Sequence, residues 1–128
     1  MAKNILLVDD ALFMRTIMKG FLERYGYRVV GEGANGREGV EKYKLLRPDI
    51  LLMDITMPEM DGLTALRHIM DFNPKAVVVM ISAMGQKEYV LDAIKSGAKN
   101  FIVKPFQEEK IIEVLNTCLL YTSDAADE

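Results

Sequence analysis

Apolar residues recur along this chain at two different spacings. Five short runs rich in valine, isoleucine and leucine are separated by longer stretches in which apolar residues return every three or four positions. The short runs predict buried strands, and the longer stretches predict amphipathic helices. Because strands and helices alternate, neighbouring strands are expected to be parallel, which predicts one α/β domain. The predicted strands are Asn4 to Val8, Arg28 to Gly31, Ile50 to Asp54, Ala76 to Ser82 and Asn100 to Val103.

A helix is predicted after each of these strands. Asn35 is a preferred N-cap residue for the second helix, and Gly97 is suited to end the fourth. The predicted helices cover about residues 13–25, 36–46, 63–71, 87–96 and 107 onwards. The apolar residues at helical spacing are Phe13, Ile17, Phe21 and Leu22 in the first helix, and Val40, Tyr43 and Leu46 in the second.

Polar residues follow four of the five apolar runs, at the point where each predicted strand ends. They are Asp9 and Asp10, Asp54, Ser82, and Lys104. In an open parallel sheet, ligands bind in the crevice outside the carboxyl ends of the strands. These carboxylates, the hydroxyl and the ammonium are therefore expected to converge at one edge of the sheet.

Each of these residues also has a purely structural interpretation. Paired aspartates between a strand and a helix are more often an N-cap than a metal site, Ser82 can satisfy a backbone group, and Lys104 can be solvated. Asp54 is different, because it closes a continuously apolar strand and an unpaired charge there is costly. The conjunction of all these side chains at the ends of different strands favours a functional site.

The residue types predict phosphoryl chemistry. Clustered carboxylates repel one another unless a cation neutralises them, and oxygen ligands without histidine or cysteine suit Mg²⁺. A carboxylate can attack phosphorus and form an aspartyl phosphate, and phosphoryl transfer needs mainly positioning and charge stabilisation. Asp54 is predicted to be the nucleophile, because it is single and central, with Asp9 and Asp10 on the adjacent strand.

Length, charge and cysteine content exclude several other classes of protein. The 128 residues, half of them apolar, allow one hydrophobic core. The net charge of −3 and the scattered basic residues argue against nucleic-acid binding by this domain. No apolar stretch has the length of a membrane span or a secretory signal, so a cytoplasmic location is expected. Cys118, the one cysteine, rules out an internal disulfide and makes zinc chemistry a poor interpretation.

Four segments of the chain together resemble the receiver domain of response regulators, and most closely its stand-alone chemotaxis type. They are LLVDD (6–10), MDITMPEMDG (53–62), SA (82–83) and KPF (104–106). The resemblance implies a flavodoxin-like (βα)5 domain over residues 1–117, with its parallel strands in the order 2-1-3-4-5. It also implies a protein that catalyses only its own phosphorylation and dephosphorylation, and is otherwise not an enzyme.

The resemblance assigns a metal role to four residues. Asp10 and Asp54 would bind Mg²⁺ directly, together with the backbone carbonyl of Thr56, while Asp9 would act largely through water. Asp54 would accept the phosphoryl group from a phosphohistidine.

The resemblance also implies a switch. Ser82 and Lys104 would each bind a phosphoryl oxygen, and the Lys104–Pro105 peptide bond would be cis. Phe101 occupies the aromatic switch position, where many relatives have tyrosine; phenylalanine keeps the ring but lacks the hydroxyl. The phosphoryl group would shift a two-state surface formed by the fourth helix, the fifth strand and the fifth helix.

The partners implied by the resemblance are proteins. They are a CheA-like histidine kinase, a FliM-like flagellar switch protein and a phosphatase, for which the CheC/CheX type is a candidate. The domain is expected to be a monomer that contacts neither nucleic acid nor membrane.

Residues 118–128 (CLLYTSDAADE) resemble the translation of a transposase sequencing adapter. We therefore expect this tail to be non-native, the alternative being a natural acidic tail. The coding DNA should match that adapter, and different codons in an independently sequenced gene would contradict this expectation. If the tail is non-native, an output domain could follow residue 117 in the natural protein.

Other functions stay open at the level of sequence. The chain is also consistent with the receiver of a longer regulator that carries a DNA-binding or methylesterase domain. A flavodoxin-like module that binds phosphate or flavin would share the fold, but such a module has a hydroxyl- and glycine-rich loop after its first strand. A phosphatase of the haloacid-dehalogenase type would need Asp-x-Asp there, which Asp9-Asp10-Ala11 does not supply.

Overall fold

Strands and helices alternate throughout the part of the chain that is described. A computed structural model describes residues 2–83 and 85–127, with side chains as far as residue 119. The strands are β1 (Asn4–Val8), β2 (Arg28–Gly33), β3 (Ile50–Asp54), β4 (Val78–Ser82) and β5 (Asn100–Val103). The helices are α1 (Leu12–Arg24), α2 (Gly36–Leu46), α3 (Gly62–Phe72), α4 (Lys87–Lys95) and α5 (Glu108–Asp127).

The strands form one parallel sheet in the order β2-β1-β3-β4-β5, which confirms the predicted fold class. Val8 pairs with Met53, so the residues that follow β1 lie beside the end of β3. Ser82 pairs with Val103, so the residue after β5 lies beside the end of β4. The register therefore brings the polar residues at the strand ends to one edge of the sheet.

Two apolar layers hold the helices against the two faces of the sheet. Successive strand side chains point to opposite faces, so each central strand contributes to both layers. One layer joins the sheet to α2, α3 and α4, and the other joins it to α1 and α5. All five residues of β3 and all five of β4 are buried. Asp54 and Ser82 therefore lie at the ends of fully buried strands.

The apolar residues of α1 lie on both its buried and its exposed face. Phe13 and Ile17 belong to the apolar spacing that predicted this helix, but they are 65% and 45% exposed. The buried residues of α1 are Met18, Phe21 and Leu22. Rows of apolar side chains on adjacent faces of one helix both satisfy a three-to-four-residue spacing, and only contact with the sheet selects between them.

The observed boundaries differ from the predicted ones by a few residues. β2 extends to Gly33, β4 begins at Val78, and α3 covers Gly62–Phe72. α2 has the predicted bounds, and the Asn35 side chain accepts a hydrogen bond from the backbone N–H of Glu38. The Lys104–Pro105 bond is cis, as the resemblance implied.

The helix α5 continues into the segment expected to be a non-native tail. Cys118 is buried, and Leu119 contacts the apolar layer beneath α5. The side chains of residues 120–128 lie outside the described part of the structure, and the origin of residues 118–128 stays a prediction. Among the described residues, none of the helices is both long and apolar enough for a membrane span.

Candidate functional site

Three carboxylates meet where β1 and β3 end. One oxygen from each of Asp9, Asp10 and Asp54 lies within 4.8 Å of the others. Asp9 is fully buried and Asp54 is 7% exposed, whereas Asp10 lies on the surface. The adjacency follows from the sheet order, because β1 and β3 are hydrogen-bonded neighbours. Such a cluster needs a cation to offset the repulsion between its charges.

Lys104 brings that positive charge from the loop after β5. Its Nζ lies 3.2 Å from Oδ2 of Asp54 and 3.6 Å from Oδ2 of Asp9. Partial burial works to lower the pKa of Lys104, but the carboxylates of Asp54 and Asp9 outweigh it and raise that pKa above its ordinary value. Lys104 is therefore charged at neutral pH, and its ammonium partly neutralises the carboxylate cluster.

Asp54 has an electrostatic environment that opposes its ionisation. Burial raises the pKa of the Asp54 carboxyl, Lys104 partly offsets this rise, and the charge of Asp9 adds to it. The net result is a pKa above the ordinary value of an aspartate. A bound cation would reverse this balance, since it stabilises the ionised carboxylate directly.

The donor atoms present fit Mg²⁺. Oδ1 of Asp9 accepts a hydrogen bond from the backbone N–H of Ala11 at 2.9 Å. The other oxygen, Oδ2, is buried and has no hydrogen-bond partner among the described residues. The Lys104 ammonium lies 3.6 Å from this oxygen, beyond hydrogen-bond distance, so the cost of burying the carboxylate is only partly offset, and a hard divalent cation at the cluster would offset it further. The three carboxylates supply oxygen ligands of the kind that Mg²⁺ prefers.

Ser82 lies on β4 and Phe101 on β5, on the other side of β3 from Asp9 and Asp10. The Ser82 side chain is fully buried, and its hydroxyl has no hydrogen-bond partner within the described part of the chain. Phe101 is 37% exposed. Both residues line a cavity of about 590 Å³ between α4 and β5. The structure thus places a hydroxyl without a partner and an aromatic ring around one space.

Arg15 is a site residue that the sequence analysis did not identify. Its Nη1 donates a 2.6 Å hydrogen bond to the backbone carbonyl of Asp9, and its Nε donates to Oε1 of Glu32 at 3.0 Å. Arg15 therefore ties α1 and β2 to the turn that carries the paired aspartates. A single arginine on a helix gives no sequence signal of this role, because the contact depends on how α1 lies on the sheet.

Two glycines fix the loop between β3 and α3, which carries Thr56. A Cβ on Gly62 would lie less than 3.0 Å from the carbonyl oxygen of Asp54, and a Cβ on Gly36 would lie equally close to that of Met60. The Gly36 N–H donates to the Met60 carbonyl at 2.8 Å. The loop after Asp54 is therefore held where only glycine leaves room for it.

Replacing Asp54 with asparagine is expected to raise the thermal unfolding midpoint of the metal-free protein at neutral pH, because a buried charge is removed. The raised pKa of Asp54 means that the folded state holds the proton more tightly than the unfolded chain does. The stability contributed by Asp54 is then present below its ordinary pKa and lost as pH rises through the raised pKa. The unfolding midpoints of the wild type and of Asp54→Asn should converge at acid pH and separate towards neutral pH. Circular dichroism in EDTA measures both midpoints.

The matched control is Asp71→Asn, which removes the same charge from an exposed position on α3. It should change the free energy of unfolding by no more than about 0.5 kcal/mol. Mg²⁺ at about 100 times its dissociation constant should stabilise the wild type by about 2.7 kcal/mol and Asp54→Asn by less. A lower midpoint for Asp54→Asn than for the wild type in EDTA at neutral pH would contradict this electrostatic account.

Comparison with known proteins gives one consistent family. The family model of the response regulator receiver domain matches residues 5–116. The chain is 56% identical to the chemotaxis protein CheY of Thermotoga maritima, over 91% of this chain and 97% of that protein. It is 54% identical to CheY of Bacillus subtilis, over 93% of this chain and 99% of that protein. It is also similar to the solved CheX-CheY-BeF3-Mg complex of Borrelia burgdorferi, with a TM-score of 0.86, 40% identity, and coverage of 90% of this chain and 87% of that chain.

Proposed function

Because this chain belongs to the response regulator receiver domain family and is CheY-like in sequence, we propose that it is phosphorylated on Asp54. The donor is the phosphohistidine of a CheA-like sensor kinase. The phosphorylated form binds a FliM-like flagellar switch protein and thereby controls flagellar rotation. The observation that carries this proposal is the buried Asp54 carboxylate, which has Lys104 at 3.2 Å and two further carboxylates beside it.

The proposed metal is Mg²⁺. Asp10 and Asp54 would hold it directly, together with the backbone carbonyl of Thr56, and Asp9 would contribute largely through water. When bound, Mg²⁺ neutralises charge on the carboxylates and on the transferring phosphoryl group. The buried Asp9 Oδ2, which accepts no hydrogen bond from the described residues, supports a cation at this cluster. The Borrelia burgdorferi structure, a complex that includes BeF3 and Mg, supports it as well.

Phosphoryl transfer in this site needs little covalent machinery. An oxygen of Asp54 forms a bond to phosphorus while the bond from phosphorus to the donor histidine nitrogen breaks, and the nitrogen keeps the electron pair. Lys104 donates a charge-assisted hydrogen bond to one phosphoryl oxygen, and the Ser82 hydroxyl donates to another. Lys104 already lies within hydrogen-bond distance of Asp54, so it is positioned before the donor arrives.

The output is a change in the surface formed by α4, β5 and α5. The buried Ser82 hydroxyl gains a partner when it moves to the phosphoryl oxygen, which favours the arrangement with Ser82 near Asp54. That movement enlarges the space beside Phe101, whose ring turns inward into the cavity between α4 and β5. The ring alone performs this packing step, so the absence of the tyrosine hydroxyl leaves it intact.

The remaining assignments follow from the same family. The domain acts as a monomer in the cytoplasm, and its catalysis is limited to its own phosphorylation and dephosphorylation. A phosphatase of the CheC/CheX type removes the phosphoryl group, for which the similarity to CheY in the CheX-CheY complex is the support.

Acetyl phosphate tests the proposed acceptor site without a kinase. In Mg²⁺ the intact mass of the protein should rise by one phosphoryl group, and in excess EDTA the rise should disappear, because the carboxylates then repel the donor. Intact-mass spectrometry over a time course measures both. A folded, Mg²⁺-binding protein that gains no mass would refute phosphorylation of this site.

A second measurement addresses the output surface. Addition of BeF3⁻ with Mg²⁺, which mimics an aspartyl phosphate, should shift the amide resonances of α4, β5 and α5 in a ¹⁵N–¹H spectrum. The helix α2 packs against β2, the edge strand opposite β5, so its exposed face serves as the internal reference. Shifts confined to residues next to Asp54 would contradict the proposed switch.

A further inference from the structure

Gln86 joins two loops that flank the proposed phosphoryl site. Its Oε1 accepts a 2.7 Å hydrogen bond from the backbone N–H of Ala83, the residue that follows Ser82. Its Nε2 donates a 2.8 Å hydrogen bond to the hydroxyl of Thr56, two residues after Asp54. We call this pair of hydrogen bonds the Gln86 bridge. It connects the end of β4 to the loop after β3.

Helix capping does not account for this arrangement. Gln86 occupies the N-cap position of α4, but its side chain makes no capping hydrogen bond to that helix. Serine, threonine, aspartate and asparagine are the residues that cap helices well. The Gln86 side chain instead turns away from α4 and uses both ends of its amide between the two loops. The contacts thus point to a role at the site and away from a role in helix formation.

We propose that Gln86 is a positioning residue that holds Ala83, and with it Ser82, in the arrangement without a phosphoryl group. This inference rests on the proposed function and adds a mechanism of control to it. In this proposal the Ser82 hydroxyl reaches the phosphoryl oxygen through a shift of the backbone after β4, and this shift moves the Ala83 N–H as well. The hydrogen bond from Ala83 to Gln86 must then break or be rebuilt.

The strengths of the competing interactions make the bridge reversible. A charged phosphoryl oxygen accepts a hydrogen bond about twice as strongly as a neutral amide oxygen does. Ala83 and Thr56 are exposed, so water can replace Gln86 on both of them. The phosphoryl group therefore overcomes the bridge, and the bridge limits how readily the active arrangement forms in its absence.

The test is the affinity of the protein for BeF3⁻ at saturating Mg²⁺. Gln86→Leu keeps the approximate size of the side chain and removes both hydrogen bonds. Loss of the bridge should tighten BeF3⁻ binding by about three- to tenfold, which corresponds to one ordinary hydrogen bond. The affinity for Mg²⁺ alone should not change. The chain has no tryptophan, so a titration followed by ¹⁵N–¹H spectra is the suitable readout.

Two further variants separate the bridge from a general effect of mutation. The other glutamine of the chain, Gln107, is exposed before α5, and Gln107→Leu should leave BeF3⁻ affinity unchanged. Thr56→Val removes the hydroxyl that Gln86 contacts and keeps the backbone carbonyl. Introduced alone, Thr56→Val should tighten BeF3⁻ binding. Introduced into the Gln86→Leu variant, it should cause no further change, because both substitutions break the same contact.

The outcomes distinguish this inference from the proposed function. If the wild type itself binds no BeF3⁻ in Mg²⁺, the phosphoryl site is wrong and the bridge has no function to control. If the wild type binds and Gln86→Leu binds equally or more weakly, the bridge does not restrain Ser82. Weaker binding together with a lower unfolding midpoint would assign Gln86 a structural role. Additive effects of Thr56→Val and Gln86→Leu would also overturn the inference.

Discussion

Replacing Lys104 with methionine is expected to slow phosphorylation by acetyl phosphate by about 10²- to 10³-fold. Lys104 is the cation placed within 4.0 Å of both buried carboxylates, and methionine keeps the shape of its chain without the charge. Removal of one preorganised donor from a site where charge develops costs about this much in rate. The rate of mass gain at saturating Mg²⁺ measures the effect.

The same substitution should also lower stability in a metal-dependent way. Among the described residues, Lys104 is the one that forms ion pairs with Asp9 and Asp54, so its removal leaves these two buried charges without an ion-pair partner. Because the Lys104 side chain is 29% exposed, the loss should be smaller than the about 3–5 kcal/mol typical of a fully buried pair. Mg²⁺ should restore most of it, since the ion neutralises the same carboxylates.

Lys99→Met is the matched control, because it removes an equal charge from an exposed position just before β5. It should leave both the rate and the metal dependence of stability unchanged. Wild-type phosphorylation by Lys104→Met would show that the ammonium takes no part in transfer. An equal loss of stability with and without Mg²⁺ would contradict the electrostatic account of Lys104.

Replacing Gly62 with alanine is expected to destabilise the fold by about 1–3 kcal/mol and to reduce phosphorylation at least about tenfold. The new Cβ would lie within 3.0 Å of the Asp54 carbonyl oxygen and of the Ile55 Cα, so the backbone beside the acceptor must move. Chemical denaturation measures the stability. The rate of mass gain with acetyl phosphate, at a temperature where the variant is folded, measures the effect on the site.

Gly20→Ala supplies the control for this glycine. Gly20 lies on the exposed face of α1, and the nearest atom to a new Cβ is 3.9 Å away, at the end of the Arg24 side chain. Alanine has the higher helix propensity, so this variant should be more stable by up to about 1 kcal/mol, with unchanged phosphorylation. A Gly62→Ala protein with wild-type stability and rate would show that the Asp54 backbone has room to shift.

Most of the fold was predictable from the spacing of apolar residues. β3 and β4 have no polar residue before their last position, and such runs specify buried strands without help from tertiary structure. The order of the strands could not be predicted from spacing, which indicates only that the strands are parallel. The order was predicted from the resemblance to receiver domains. The buried face of α1 was not predictable from local pattern either, since Phe13 and Ile17 share the apolar spacing of Phe21 but are exposed, whereas Phe21 is buried.

The candidate site was predictable to the extent that it follows strand ends. Asp9, Asp54 and Lys104 each come directly at or after a strand terminus, so sheet topology alone brings them together. Arg15 and Gln86 act through hydrogen bonds to groups on other elements and loops. Their partners are backbone groups, the Glu32 carboxylate and the Thr56 hydroxyl, whose positions depend on the folded structure. No residue pattern in the chain encodes such contacts.

The most direct test of the central claim identifies the atom that carries the phosphoryl group. Borohydride reduces an acyl phosphate at its carbonyl carbon, releases phosphate and leaves homoserine, whereas a phosphoserine is not reduced in this way. After reaction with acetyl phosphate and Mg²⁺, peptide mapping should find homoserine at position 54 and an unmodified Ser82. Homoserine at another aspartate, or phosphate retained on Ser82 after reduction, would contradict the assignment of Asp54 as the acceptor.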